Sequence, residues 1–131
     1  MAAPPLQILL IEDSISDATL MQTRLRTVQE FDFHVEHATR LQEGLTKLSE
    51  QKFDAILLDL NLPDSSGLDT VKKTRETTNK IPIIVLTGTD DRSLVSEAIE
   101  SGADSYMVKD KSDGNRIAVG ILWAIRNRNV S

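Results

Sequence analysis

Three carboxylates, a threonine and a lysine fall where short apolar runs of this chain end. Glu12 and Asp13 follow LQILLI, Asp59 follows FDAILL, Thr87 follows IPIIVL and Lys109 follows SYMV. Three carboxylates brought together raise each other's pKa unless a cation sits among them. Mg²⁺ suits such a set, because it prefers oxygen ligands and keeps positions open for water and phosphate oxygens. With Asp13, Asp59 and a nearby backbone carbonyl as ligands, Asp59 becomes a carboxylate able to attack an activated phosphorus and form an aspartyl phosphate. Charge then builds on the equatorial oxygens and calls for fixed donors. The Lys109 ammonium and the Thr87 hydroxyl can supply them, and Gly88 leaves room for the incoming donor. These residue types in these places describe a phosphoryl-transfer site.

Residues up to a hundred positions apart meet only if the apolar runs are neighbouring strands with their carboxyl ends on one edge, where open α/β sheets bind ligands. Strands are expected near 6–11, 33–38, 54–58, 81–86 and 105–108, and helices near 16–29, 40–50, 66–77, 91–101 and 113–128. Alternating strand and helix patterns imply βαβ units and a parallel sheet. Four strands are apolar nearly throughout, as strands covered on both faces should be. The second alternates Phe31, Phe33 and Val35 with Asp32, His34 and Glu36, the mark of an edge strand. An edge position for strand two agrees with a flavodoxin-like, doubly wound (βα)5 fold of order 2-1-3-4-5.

Local punctuation supports the same frame. Thr39 with Gln42 forms a capping-box pattern before a stripe of Leu41, Leu45 and Leu48. Asp90 or Asp91 is expected to cap the fourth helix, and Gly102 to stop it. The last helix shows a core stripe of Ile117, Ile121, Leu122 and Ile125, with Val119 and Trp123 on its other side. His34 and His37 flank the second strand and are expected as solvated edge residues away from the pocket.

The chain has 131 residues, one ordinary domain. Fifteen basic and 20 acidic residues give a net charge of −5, which argues against a dedicated nucleic-acid binder. It has no cysteine, which excludes a disulfide framework and fits a reducing compartment, so a cytoplasmic location is expected. No stretch approaches the roughly 18 apolar residues of a membrane span. The N-terminus lacks the basic region of a signal peptide. Residues 1–5 are read as a short tail, 6–128 as the domain and 129–131 as a second tail.

The ordered set Glu12-Asp13, Asp59, Thr87, Lys109 resembles the receiver domain of two-component response regulators, across essentially the whole chain. The segment DLNLPDSSG resembles that family's Asp-x-x-x-Pro-x-x-x-Gly loop, and GADSYMVK its Gly-Ala-x-x-Tyr-x-x-Lys strand. The resemblance implies that Asp59 accepts a phosphoryl group from the phosphohistidine of a sensor kinase or phosphotransfer protein. It implies that Glu12 and Asp13 hold Mg²⁺ with Asp59 and the Asn61 carbonyl, and that Lys109 and Thr87 bind the phosphoryl oxygens. Tyr106 would be the aromatic switch, turning inward as Thr87 moves, so that the face of the fourth helix, fifth strand and fifth helix changes its docking of a protein target or a second copy. Asn61 and Thr89 lie where the family tunes loss of the phosphoryl group to water. One departure is Asp110, where the family usually has proline after the lysine.

Three other readings stand beside a stand-alone receiver. The chain could be a receiver module of a longer hybrid kinase or regulator. An aspartate-nucleophile phosphatase would need a second acid two residues after the nucleophile, where this chain has Asn61. A nucleotide-binding protein would need a glycine-rich phosphate loop, which is missing.

Overall fold

The structure is a computed structural model, and the residues it describes are 4–88, 92–109 and 113–129. Strand and helix alternate as β1 (Leu6–Ile11), α1 (Ile15–Arg26), β2 (Phe33–Ala38), α2 (Leu41–Glu50) and β3 (Ala55–Asp59). Then follow β4 (Asn61–Leu62), β5 (Ser65–Ser66), α3 (Leu68–Thr77), β6 (Ile83–Thr87), α4 (Arg92–Glu100), β7 (Ser105–Val108) and α5 (Gly114–Asn129). Five strands form one parallel sheet in the order β2-β1-β3-β6-β7. This is the expected 2-1-3-4-5 order once the two-residue strands β4 and β5, which pair only with each other, are set aside.

The apolar runs explain the layers. Successive strand residues point to opposite faces. Ile8 and Leu10 therefore enter a core with Ala18, Met21 and Leu25 of α1 and Ile117, Ile121 and Ala124 of α5. Leu9 and Ile11 enter the opposite core with Leu41 of α2, Val71 of α3 and Ala98 of α4. Ile84 and Leu86 divide in the same way from Ile83 and Val85. Each such buried Leu, Ile, Val or Met side chain contributes about 1.5–3 kcal/mol. Helices on both faces leave only the strand ends free to carry chemistry.

Several expected boundaries shift for local reasons. β3 ends on Asp59 and β6 on Thr87, so both are final strand residues rather than the first residues beyond. α1 stops at Arg26 instead of 29, where the Thr27 hydroxyl donates to the Arg24 carbonyl at 2.6 Å and competes with helical bonding. α3 starts at Leu68 instead of 66, because Ser65 and Ser66 pair with Asn61 and Leu62 in a short antiparallel turn. Gly67, at φ +68°, makes the bend and donates its amide to the Leu60 carbonyl at 2.7 Å.

Two readings need larger correction. The Thr39–Gln42 capping box does not form: the α2 N-cap, Arg40, makes no side-chain cap. The Asp64 carboxylate instead accepts from the amides of Leu41 and Gln42 at 2.9 and 3.0 Å, and Glu43 reaches back to the Thr39 amide at 2.7 Å. In α5, Ile117 and Ile121 are fully buried, but Leu122 and Ile125 are only half-buried, and Ala118 and Ala124 complete the core. Leu122 lines a cleft with Pro4, Leu6 and Phe31 at the far pole of the sheet. Val119 and Trp123 are exposed, as expected of the other side of the wheel. The caps expected at Asp90 or Asp91 lie outside the described residues.

Candidate metal centre

The ends of β1, β3, β6 and β7 share one edge of the sheet. The Glu12 amide donates to the Ala38 carbonyl at 2.9 Å, extending the β1–β2 ladder one rung beyond Ile11. That fixes the backbone of the two acids that follow the strand. The Glu12 side chain is buried and Asp13 is exposed. Asp59, buried to 6% exposure, ends the neighbouring strand β3. One carboxylate oxygen each from Glu12, Asp13 and Asp59 lies within 4.8 Å of the other two. An all-carboxylate donor set is the kind that hard cations such as Mg²⁺ prefer.

Lys109 joins this trio as its counter-charge. Its Nζ lies 2.6 Å from Glu12 Oε2, 3.2 Å from Asp17 Oδ2 and 3.5 Å from Asp59 Oδ2. Apart from that ammonium, Glu12 Oε2 has no hydrogen-bond partner among the described residues. Its Oε1 accepts from the Ser14 amide at 3.1 Å, and Asp59 Oδ1 accepts from the Asn61 amide at 3.2 Å.

The electrostatics follow from this crowding. Burial pushes the Glu12 carboxyl up, Lys109 and the Ser14 amide pull it down, and Asp59 pushes it up again. The result is a rise from 4.5 to about 7. Burial alone pulls Lys109 down, but Glu12, Asp59 and Asp17 outweigh it and hold it above the ordinary lysine value. A divalent cation among the acids would reverse the push on Glu12, so the donor set and its charge balance both fit a metal.

The remaining expected residues lie around this cluster. Thr87 is buried and stands one residue past Leu86, the β6 residue in register with Asp59. Tyr106, 36% exposed, lies on edge strand β7, two residues before Val108, which is in register with Thr87. Asn61 is exposed, and among the described residues a Cβ at Gly88 would meet nothing within 4 Å. Thr89 and Asp110, and with Asp110 the peptide that follows Lys109, lie outside the described residues.

Three residues at the site were not foreseen. Asp17 resembles a simple cap residue in sequence, three positions after the α1 N-cap Ser14, whose hydroxyl accepts the Asp17 amide at 3.2 Å. Its carboxylate nevertheless reaches Lys109. Arg24, two turns along α1, donates from Nη1 to the Lys109 carbonyl at 2.8 Å. His37 was expected to be solvated and remote; it is half-buried and donates from Nε2 to the Glu12 carbonyl at 2.6 Å. Its place opposite Leu10 in the β1–β2 register explains the reach, and no local pattern discloses it. His34 is the solvent-exposed histidine of the two.

Comparison with known proteins gives a consistent result. The profile of the response regulator receiver domain matches residues 8–118. The cell cycle transcriptional regulator CtrA of Caulobacter vibrioides is 34% identical over 104 residues, covering 79% of this chain and 44% of CtrA. The transcriptional regulatory protein ZraR of Klebsiella oxytoca is 29% identical over 109 residues, covering 83% of this chain and 24% of ZraR. The chain thus spans about a quarter to under half the length of these relatives. Among solved structures, the chemotaxis response regulator CheY4 of Vibrio cholerae superposes with a TM-score of 0.79 at 25% identity, covering 92% of this chain and 99% of that one. A CheY-like receiver domain protein from Methanospirillum hungatei JF-1 gives a TM-score of 0.80 at 22% identity, covering 96% and 98%.

Proposed function

The chain belongs to the response regulator receiver domain family of two-component systems, and on that premise we propose that Asp59 is its phosphoacceptor. The observation that carries this reading is the Lys109 ammonium 3.5 Å from Asp59 Oδ2, inside a trio of carboxylates whose oxygens lie within 4.8 Å of one another. An Asp59 oxygen attacks the phosphorus of a phosphohistidine on a sensor kinase or phosphotransfer protein. The new P–O bond forms as the P–N bond breaks, and the leaving imidazole nitrogen takes a proton.

Glu12, Asp13, Asp59 and the Asn61 carbonyl would hold Mg²⁺. When bound, the ion neutralises charge on the acids and on the phosphoryl oxygens. Lys109 exchanges part of its contact with Glu12 for a phosphoryl oxygen, and the Thr87 hydroxyl donates to another. Asn61 and Thr89 orient the water that later removes the group. The chain promotes its own phosphorylation and dephosphorylation and turns over no separate substrate.

Output runs through the α4–β7–α5 face. Phosphorylation adds nearly two negative charges beside Lys109 and Thr87, and Tyr106, exposed in this state, turns inward as Thr87 moves. On the same face Val119 and Trp123 are exposed. Ser105, Arg116, Val119 and Trp123 line an open groove of about 460 Å³ there. A protein target or a second copy docks on it. The net charge of −5 argues that residues 6–128 do not themselves grip DNA, although CtrA and ZraR are named as transcriptional regulators. Among the described residues no helix is long and apolar enough to cross a membrane, and we place the module in the cytoplasm.

The test is incubation with Mg²⁺ and acetyl phosphate, followed by intact mass. Wild type gains an adduct that alkali and hydroxylamine remove, as they remove an acyl phosphate, and Asp59→Ala does not. An adduct that survives the substitution overturns the assignment of the acceptor.

A further inference from the structure

Lys109 is held at both ends by one helix. The Asp17 carboxylate lies 3.2 Å from its ammonium, and the Arg24 guanidinium donates to its carbonyl at 2.8 Å. Asp17 and Arg24 are seven residues apart, two helical turns, and so share one face of α1. Between them Met21 is buried, which anchors that face to the sheet. The far end of the helix is equally fixed. A Cβ at Gly114, the first residue of α5, would run into the Arg24 carbonyl and lie 2.7 Å from Thr27 Oγ1, so α5 begins in close contact with the last turn of α1.

We propose that Asp17 and Arg24 are positioning residues for Lys109, a two-point brace that sets where its ammonium stands relative to Asp59. A lysine is a compact charge on a flexible stem with three rotatable donors. Its use at a phosphoryl group depends on where its backbone and its tip are fixed. A misplacement of about 1 Å in a positioned catalytic group can cost about a hundredfold in rate. The residue after the lysine is aspartate, so no proline ring stiffens the chain there. The rigid element that reaches both ends of Lys109 is α1. Arg24 fixes the backbone from which the side chain springs. Asp17, on the half-exposed flank, draws the tip toward solvent and shares it with Glu12 and Asp59. Both reach Lys109, and both act on Asp59 through it.

The consequence for phosphorylation rests on the phosphoacceptor reading, whereas the brace itself does not, and two measurements separate them. The first is the ¹⁵N signal of the Lys109 ammonium, identified by its loss in Lys109→Ala. It shifts and broadens in Asp17→Asn and in Arg24→Met, which keeps the aliphatic stem, and Arg24→Lys, still able to donate to a carbonyl, moves it back toward wild type. An ammonium signal indifferent to all three substitutions overturns the brace. The second is the rate of adduct formation with acetyl phosphate and Mg²⁺. Arg24→Met lowers the rate at saturating donor by about tenfold and leaves half-saturation by the donor nearly unchanged. In a Lys109→Ala background the same substitution changes nothing, because coupled residues are not additive. An equal loss in both backgrounds shows that Arg24 only supports the fold, and overturns the proposal. A wild type that forms no adduct, while its ammonium signal still answers to Asp17 and Arg24, supports the brace and refutes the phosphoacceptor reading.

Discussion

Lys109 Nζ stands 2.6 Å from Glu12 Oε2, nearer than to Asp59, and burial beside Asp59 pushes the Glu12 carboxyl up to about 7. That carboxyl titrates at about 7 in the fold against 4.5 ordinarily, so between those values the native state binds more protons than the unfolded chain. Stability from this group is fully present below pH 4.5 and is lost as the pH rises through 7. Without divalent cation, urea denaturation should therefore show a contribution of about 1–3 kcal/mol disappearing between pH 5 and pH 7.5. Glu12→Gln should flatten that slope. A slope unchanged by the substitution would mean that Glu12 is not the group responsible.

Asp64 caps α2 from another part of the chain, accepting from the Leu41 and Gln42 amides at 2.9 and 3.0 Å. A helix start without its cap loses about 1 kcal/mol. Asp64→Ala should cost about that much in chemical denaturation. Thr39→Ala, at the position that the local pattern favoured, should cost less than half of it, since Glu43 still reaches the Thr39 amide. Equal costs would restore the capping box.

The same contrast separates what could be read in the chain from what could not. Strand order and the Glu12, Asp13, Asp59 and Lys109 cluster were legible because both follow from period and position. Runs such as Ile8 to Ile11 announce two covered faces, and polar residues at their ends can only lie on the rim. Asp64, Asp17, Arg24 and His37 were not legible. Each acts on a residue between 22 and 92 positions away, or across a strand pair, and its own neighbours give it an ordinary local role. Ala118 and Ala124 were missed for a different reason: alanine is too weakly apolar to mark a buried stripe, even where close approach to the sheet demands it.

At the opposite pole of the sheet, Asp104 bridges two arginines. It meets Arg75 at 2.7 Å and Arg128 at 3.1 Å, and also accepts from the Ile83 amide. Arg75 further donates to the Gly102, Thr78 and Ile81 carbonyls, and burial, reinforced by Arg128, already works against its charge. Asp104→Asn leaves two neighbouring guanidiniums without a counter-charge, and should destabilise by about 2–4 kcal/mol. Arg128→Ala, which removes only the more exposed partner, should cost about 1 kcal/mol. Differential scanning calorimetry at neutral pH would rank the two; the reverse ranking would place the weight of the network on α5 instead of on Asp104.

Asp13 is the exposed member of the acid trio, and its substitution separates metal binding from folding. Without a cation its carboxylate adds to the repulsion around Asp59 and Glu12, so Asp13→Asn should leave stability unchanged or raise it by a few tenths of a kcal/mol. With Mg²⁺ the balance inverts. A cation held only by the folded state stabilises wild type by about 2.7 kcal/mol at a hundred times its dissociation constant. Asp13→Asn should lose most of that increment while Asn61→Ala, which keeps its backbone carbonyl, retains it. Urea midpoints at pH 7.5 with and without Mg²⁺ would show the difference directly. If Mg²⁺ raises the midpoint of Asp13→Asn as far as that of wild type, Asp13 is not a ligand and the ion sits elsewhere.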